Sequence, residues 1–274
     1  MARRIALVGI DFQNDFMDDG ALPVMGAKAD AHRLASMIDR LGKKLDDIYM
    51  TLDSHDPVHI AHGISWVDQD NNHPDPFTVI ESKDIIPNDN SRWFRSSVRA
   101  WNSRYVDYVN SLEQNGRYKL CIWAEHCIVG TPGHNIEDTL RDSLMRWERN
   151  NYRKVYFKVK GNNPFTEHYS AVKADVPDPN DPTTQLDTGF VQILNNYDEV
   201  VCAGEALDFC VRNTFLDVVD FWGAGNNPFV QKMVFLTDAS SPVTVGGNRV
   251  TNFDFVAELA ARGMRVATTD SYLS

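Results

Sequence analysis

The chain has 274 residues, 43% of them hydrophobic and 24% charged, so one large core can form without a disulfide or metal staple. A formal net charge of −11 argues against a nucleic-acid or anionic-membrane partner, because phosphate contacts need clustered Lys and Arg. No apolar run reaches the length of a membrane span, and the stretch 5–10 is too short for a secretory leader and closes at Asp11 without a small-residue cleavage site. Cys121, Cys127, Cys202 and Cys210 lie in or beside apolar stretches and read as free thiols of a reducing, cytoplasmic compartment.

Residues 4–10 form a β-branched, apolar run, the sign of a strand buried on both faces. Residues 27–45 carry Leu34, Met37, Ile38, Leu41 and Leu45 at helical spacing. A short strand is expected at 48–52, then a helix at 98–112 with Trp101, Tyr105, Tyr108 and Leu112 on one face. A strand at 118–122, a helix at 135–149, a strand at 155–159 and a helix at 188–194 follow. After these come a strand at 199–203, a helix at 207–221, a strand at 232–236, a helix at 252–261 and a last strand at 265–267. Strand followed by helix, repeated, implies a mostly parallel sheet with helices on both faces. Two long irregular stretches, 57–90 and 173–182, interrupt the pattern, and loops of that length in a compact domain are functional or mobile.

Ligands of open α/β sheets bind beyond the carboxyl ends of the strands. Asp11 follows the first expected strand, Asp53 and His55 the second, His126 the strand at 118–122, and Lys160 the strand at 155–159; Cys210 opens the helix after 199–203. Each is weak alone. An Asp after a strand is usually a turn former or cap, a helical Cys a small buried apolar residue, and a lone His a satisfied core residue. Together, five strand ends bring a carboxylate, nitrogen and oxygen ligands, a cation and a thiol to one crevice. A thiol with a pKa of ~8.5 is mostly protonated at neutral pH. A neighbouring carboxylate can take its proton, and an ammonium and a helix N-terminus can stabilise the thiolate.

Several blocks of sequence carry a resemblance. They are Asp11-Phe12-Gln13-Asn14-Asp15-Phe16 followed by Gly20, Ala21 and Leu22; Asp53-Ser54-His55-Asp56-Pro57-Val58-His59-Ile60; and Trp123-Ala124-Glu125-His126-Cys127-Ile128-Val129-Gly130-Thr131-Pro132-Gly133. Lys160-Gly161 with Tyr169-Ser170-Ala171, and Gly204-Glu205-Ala206-Leu207-Asp208-Phe209-Cys210-Val211, complete the set. In this order, and over nearly the whole chain, they resemble the motifs of the nicotinamidase and isochorismatase superfamily of cysteine hydrolases. The resemblance implies one isochorismatase-like hydrolase domain over 1–274, three-layer α/β/α with a mostly parallel sheet of about six strands. It implies Asp11, Lys160 and Cys210 as a catalytic triad, and Asp53, His55 and His126 as ligands of a divalent metal. His59 stands where some members carry a further ligand or a group behind the ligands. A cis peptide before Ala206 would turn the Ala206 and Cys210 amides toward one point, an oxyanion hole. Phe16, Trp123, Tyr169 and Phe209 would surround the substrate. One carboxylate and two imidazoles leave coordination positions open, so zinc is expected first, with manganese or iron as alternates. A pyridine nitrogen suits such a metal, which would turn a ring carboxamide toward the thiol.

There are departures. Ala124 replaces the family's Pro after Trp, and Phe209 stands where many members have His or Tyr. A long insertion at about 60–117, with Trp66, Trp93 and Trp101, is expected as a lid or as a contact between copies in a homo-oligomer. The activity expected is deamidation of the small molecule nicotinamide to nicotinic acid and ammonia, through a thioester on Cys210. One alternative is hydrolysis of another small carboxamide or ureido compound, for which a cationic clamp would replace the metal set. The other is a binding or scaffold homologue that lost activity, against which the intact Asp11, Lys160 and Cys210 speak.

Overall fold

The computed structural model of the protein describes residues 3–87, 91–223, 228–245, 248–249 and 254–274. The first apolar run becomes the strand on which the sheet is built. β1 (Ile5–Ile10) buries all six of its residues and lies between β2 (Asp47–Asp53) and β4 (Glu199–Gly204), which is likewise buried throughout. β3 (Tyr156–Lys160) closes one edge, β5 (Met233–Leu236) and β6 (Arg265–Ala267) the other, in the order β6-β5-β4-β1-β2-β3. Every pairing in this sheet is parallel. β3 has the character of an edge: Tyr156, Phe157 and Val159 are exposed and Lys158 is only partly buried, a charge that discourages further strands from adding there.

Right-handed crossovers then dictate where the helices go. Stepping from β1 through β2 to β3 places α1 (Ala27–Leu41) and α3 (Asp138–Asn151) on one face, where they pack on each other. The chain jumps back past β1 to β4 and continues the other way. This puts α4 (Thr188–Leu194), α5 (Arg212–Phe221) and α6 (Phe255–Ala261) on the opposite face, with Phe215 of α5 5.6 Å from Phe255 of α6. α1 buries Ala27, Ala31, Leu34, Ala35, Ile38 and Leu41, a stripe at helical spacing. The direction of winding reverses between β1 and β4, the place where α/β sheets open a crevice.

Two registers decide what meets at that crevice. Asp53 is the partner of Lys160 at the ends of β2 and β3, and Ile10 is the partner of Gly204 at the ends of β1 and β4. A chain slip of one residue at either place would turn these side chains to the other face.

The expected strand at 118–122 is the main correction. Only Leu120–Cys121 is extended, paired antiparallel with Val79–Ile80 outside the large sheet. The run 120–123 is apolar because it is buried, not because it joins the sheet. Helix ends also move. The helix expected at 27–45 stops at Leu41, where Gly42 begins a 3-10 turn, and the one at 98–112 becomes α2 (Asn102–Asn115) behind a 3-10 turn at Arg99–Trp101. The helix expected at 135–149 runs as α3 from Asp138, where the Glu137 carboxylate caps it by accepting from the Leu140 amide. The helix at 207–221 begins as a π-helical turn, Leu207–Val211, before α5. Of the helix expected at 252–261, residues 252 and 253 lie outside the described residues.

The buried residues of the segment 60–117 belong to the same hydrophobic core as the sheet. Trp66 is fully buried, donates from Nε1 to the Ile60 carbonyl at 2.7 Å and packs on Tyr105 with ring centroids 4.9 Å apart. Among the described residues, no helix is long and apolar enough to cross a membrane.

Leu34 has no exposed surface and sits in the middle of the α1 stripe. Leu34→Ala is expected to cost about 2–5 kcal/mol, seen in urea denaturation as a lower midpoint at unchanged slope.

Candidate active site

Lys160 is the centre of the site. The β2–β3 register sets it beside Asp53, and its Nζ lies 3.0 Å from Asp53 Oδ1, 2.9 Å from Asp11 Oδ2 and 3.0 Å from the His168 carbonyl. The two carboxylate contacts are ion pairs, while the ammonium donates to the His168 carbonyl and, at 3.5 Å, to Cys210 Sγ. The Lys160 side chain is 1% exposed. Burial opposes its charge, but the Asp11 and Asp53 carboxylates outweigh burial and hold the ammonium well above the ordinary lysine range.

Asp11 leaves β1 in the left-handed region, at φ 50°. Its amide donates to Thr51 Oγ1 at 3.0 Å, and the Thr51 hydroxyl donates back to Oδ1 at 2.5 Å. Burial pushes the Asp11 carboxyl up from its ordinary range, Lys160 pulls it back, and the Asp53 charge adds to the rise. A base so tuned holds a proton better than a free carboxylate does. Burial also pushes the Cys210 thiol well above its usual range; Lys160 opposes this, and Asp11 and Asp53 reinforce it. The shift disfavours the thiolate in the resting site, so a base is needed to take the proton, and Asp11, the carboxylate that Lys160 holds beside Cys210 Sγ, is placed to serve as one.

The other Asp53 oxygen faces two imidazoles. Oδ2 lies 3.1 Å from His55 Nε2 and 3.4 Å from His126 Nε2. Nδ1 of His55 meets the Gly161 carbonyl at 3.1 Å and Nδ1 of His126 the Ala124 carbonyl at 2.8 Å, so each Nδ1 carries the proton. Both Nε2 lone pairs then converge on a carboxylate oxygen, an arrangement that calls for a positive charge between them. Ligands ~2.0–2.1 Å from a tetrahedral ion stand about 3.3 Å from one another, which fits these separations. Burial opposes charge on His55, yet Asp53 overrides it and raises the pKa to about 8, a second sign of the same demand. Asp53 itself resists burial: His55 and Lys160 hold it well below the carboxylate range.

His126 is not carried by a sheet strand. Its loop is clamped instead: the Cys127 amide donates to Asp15 Oδ2 at 2.6 Å, the His55 amide to the Cys127 carbonyl at 3.1 Å, and the Val129 amide to the His55 carbonyl at 3.0 Å. His59 lies near this set but is committed elsewhere, with Nε2 3.2 Å from the Thr166 carbonyl and Nδ1 accepting from the Ala61 amide at 3.3 Å. Its nitrogen groups instead with His55 and the Glu167 carboxylate, all within 4.8 Å of one another. His62 has a spare nitrogen beside this set: its Nδ1 faces the Pro57 carbonyl at 3.1 Å and its buried Nε2 has no partner among the described residues.

A narrow cleft opens over these groups, lined by Phe16, Trp123, Tyr169, Phe209, Ala206 and Cys210, with Asp53 and His126 at one side. The four aromatic residues expected around a substrate therefore all reach it. Trp123 Nε1 donates to the Tyr169 hydroxyl at 3.0 Å and Trp123 meets Phe209 edge to face, centroids 5.1 Å apart. Leu22, Val24, Glu167 and Val243 complete the lining and were not expected from the sequence. Each comes from irregular chain where no periodicity marks a facing side, and only Leu22 and Glu167 stand close to a recognisable block. The peptide Glu205–Ala206 is cis, as the resemblance implied, and among the described residues the Ala206 amide has no acceptor.

No protein-family model matches the sequence. A curated relative, the nicotinamidase of Schizosaccharomyces pombe, is 29% identical over 141 residues, covering 51% of this chain and 56% of the relative. The chain thus spans little more than half the length of the curated relative it matches. Solved structures align over nearly the whole chain. An Acinetobacter baumanii nicotinamidase/pyrazinamidase is 20% identical, with 98% and 97% of the two chains covered and a TM-score of 0.58. The yeast nicotinamidase bound to the inhibitor nicotinaldehyde is 19% identical, with 96% and 99% covered and a TM-score of 0.60. The chain has the isochorismatase-like hydrolase fold. The Pyrococcus horikoshii pyrazinamidase in complex with zinc shares this fold at 19% identity, with 97% and 99% covered and a TM-score of 0.55.

Gly161 holds two parts of the site together. Its φ is +83°, and a Cβ there would lie 2.7 Å from Asp53 Oδ1 and 2.9 Å from His55 Cε1. Gly161→Ala is expected to cost about 1–3 kcal/mol through the backbone alone, read as a fall in the thermal midpoint.

Proposed function

We propose that this chain deamidates nicotinamide, converting it with water to nicotinic acid and ammonia. The observation that carries the reading is the Lys160 ammonium joined to both Asp11 and Asp53, which fixes a base beside a thiol and a ligand set opposite, with an aromatic cleft between. The pyridine ring would lie between Phe16 and Trp123 with its carboxamide over Cys210. Asp11 takes the thiol proton, and Cys210 Sγ attacks the carboxamide carbon. The carbonyl electrons move to oxygen, where the Ala206 and Cys210 amides stabilise them; one such donor is worth ~2.7–4 kcal/mol. Asp11 passes the proton to the amide nitrogen, the C–N bond breaks, and ammonia leaves a thioester. Water, deprotonated by Asp11, then attacks the thioester to release the acid and restore the thiol. Lys160 holds the charge on this pair throughout.

Asp53, His55 and His126 are the residues that would hold a divalent metal, zinc before manganese or iron. Bound there, it would supply a Lewis acid for the pyridine nitrogen and so orient the ring. The zinc complex of the Pyrococcus horikoshii protein of this fold supports the choice. The described cysteines are all free and buried, in keeping with a reducing cytoplasmic setting. The alternative hydrolase, acting on a ureido or aliphatic amide through a cationic clamp, is disfavoured by the cleft walls, where the only ionisable groups among the described residues are Asp53, His126, Glu167, Tyr169 and Cys210.

Cys210→Ala is expected to lower ammonia release from nicotinamide by at least about a thousandfold with unchanged circular dichroism, while Cys121→Ala, Cys127→Ala and Cys202→Ala matter far less. Hydroxylamine should divert the acyl group to a hydroxamate. Absence of both hydroxamate and any acyl adduct on Cys210 by mass spectrometry would remove the cysteine from the chemistry.

Elemental analysis tests the ligand set. Wild-type protein purified with zinc present should retain about one ion per chain and His126→Ala far less; equal contents would exclude His126 from the site.

A further inference from the structure

Behind the turn that carries Ala206 lies a buried pair of carboxyl groups that the proposed chemistry does not use. Glu205 has no exposed surface and Asp30, on α1, is 2% exposed. Glu205 Oε2 accepts from the Ser241 amide at 3.0 Å, the same residue whose hydroxyl donates to Asp30, whereas Oε1 is buried without any donor among the described residues. Asp30 is already satisfied, by the Arg33 guanidinium on one oxygen and by the Ser241 hydroxyl at 2.6 Å on the other. The remaining charged group near Glu205 is Asp18, whose oxygens accept from the Gly26 and Lys28 amides at 2.9 and 3.0 Å. The cations at this corner belong to the other two acids, Arg33 to Asp30 and Lys28 to Asp18, so an ionised Glu205 would face two carboxylates.

We infer that Glu205 is a positioning residue that works as a neutral carboxylic acid: its O–H donates to Asp30 and its other oxygen anchors Ser241, which fixes the turn presenting the Ala206 amide. The inference rests on the amidase reading for its consequence in catalysis. Burial, together with the Asp30 charge, pushes the Glu205 carboxyl well above the carboxylate range, in agreement with the geometry. The anchor matters because Ser241 is tied in turn to the nucleophile's segment. Its carbonyl accepts the Leu207 amide at 2.9 Å, the Ser240 hydroxyl donates to the Gly204 carbonyl at 2.5 Å, and the Val243 amide donates to Asp208 Oδ1 at 3.0 Å. On the other side the Glu205 amide donates to the Ile10 carbonyl at 2.9 Å, one residue before Asp11. The side chain of Glu205 therefore ties its own turn to the Ser241 loop and α1, while its backbone amide ties that turn to the end of β1, and the placement of these elements sets the distance between base, nucleophile and oxyanion donor.

Glu205→Gln keeps one donor and one acceptor in place and removes the proton; Glu205→Leu removes both bonds. With nicotinamide as substrate, Glu205→Leu should lower kcat about tenfold or more with KM within about threefold, because the loss falls on the transition state. Glu205→Gln should stay within about threefold of wild type in both. The second arm needs no substrate. A carboxyl that is neutral in the fold but ionises in the unfolded chain above ~pH 4.3 must take up a proton on folding, so its contribution to stability is lost as pH rises toward the folded pKa. Gln carries no such penalty, so the thermal midpoint of Glu205→Gln should exceed that of wild type by an amount that widens from about pH 4 to about pH 8. A gap that is flat or reversed with pH, or Glu205→Gln as slow as a folded Glu205→Leu, overturns the inference. If wild type releases no ammonia from nicotinamide, the amidase reading has failed, and the thermal arm still decides whether Glu205 is neutral.

Discussion

A single ammonium, buried between two carboxylates, is the constraint around which this site is arranged. Lys160 cannot stay charged in that interior without Asp11 and Asp53, and neither carboxylate could stay ionised so close to the other without Lys160. Removing one member of such a set leaves an uncompensated charge, which typically costs 3–5 kcal/mol. The three residues end three different strands, so the sheet order β1-β2-β3 is itself what brings the charges into balance. Asp53 extends the balance outward, since its second oxygen turns to His55 and His126.

This arrangement keeps the reactive group quiet. Cys210 lies within reach of a cation, yet burial pushes its thiol well above the usual range, so the site needs a base to take its proton, and Asp11 stands on the same ammonium. The same burial raises Asp11 and makes it a willing acceptor. The burial of Lys160, Asp11 and Cys210 favours both effects, because electrostatic interactions there are weakly screened. The Glu205–Asp30 pair behind the turn applies the same rule without chemistry: two acids share a corner, and one proton makes it habitable.

Much of this could be read from the residues alone, and the failures have physical causes. The runs in β1 and β4 are apolar throughout because those strands are buried on both faces, and the helix at 188–194 was expected at the bounds it has. Asp11, Asp53, Lys160 and Cys210 follow strands or open a helix, so the rule about strand ends found them. His126 was placed at a sheet strand because 120–123 is an apolar run. In the structure that run is buried in the segment next to the sheet, and the His126 loop is held by Asp15 and by the backbone of His55. Glu167, Val243 and the spare lone pair of His62 come from irregular chain, where no period reports which way a side chain points. Glu205 was read as part of a motif, but its partner Asp30 lies on a helix far away in sequence, and only the fold brings the two together.

Gln13 shows how a sheet can go on past the point where its strands part. Its side-chain amide accepts from the Asp53 N–H at 2.7 Å and donates to the Asp53 carbonyl at 2.7 Å and to the His134 carbonyl at 2.9 Å. A primary amide has the donor and acceptor of a peptide group, so Gln13 acts as a surrogate rung of the ladder between the β1 and β2 ends. The backbones of the two strands are then free to diverge by the length of a side chain without losing their alignment. The gap so formed is roofed by the chain from 132 to 135, which hydrogen-bonds to Asn14 as well as Gln13. The width of the crevice at this end is thus spanned by a side chain, and a shorter amide such as Asn would have to draw the two strand ends together to make the same contacts.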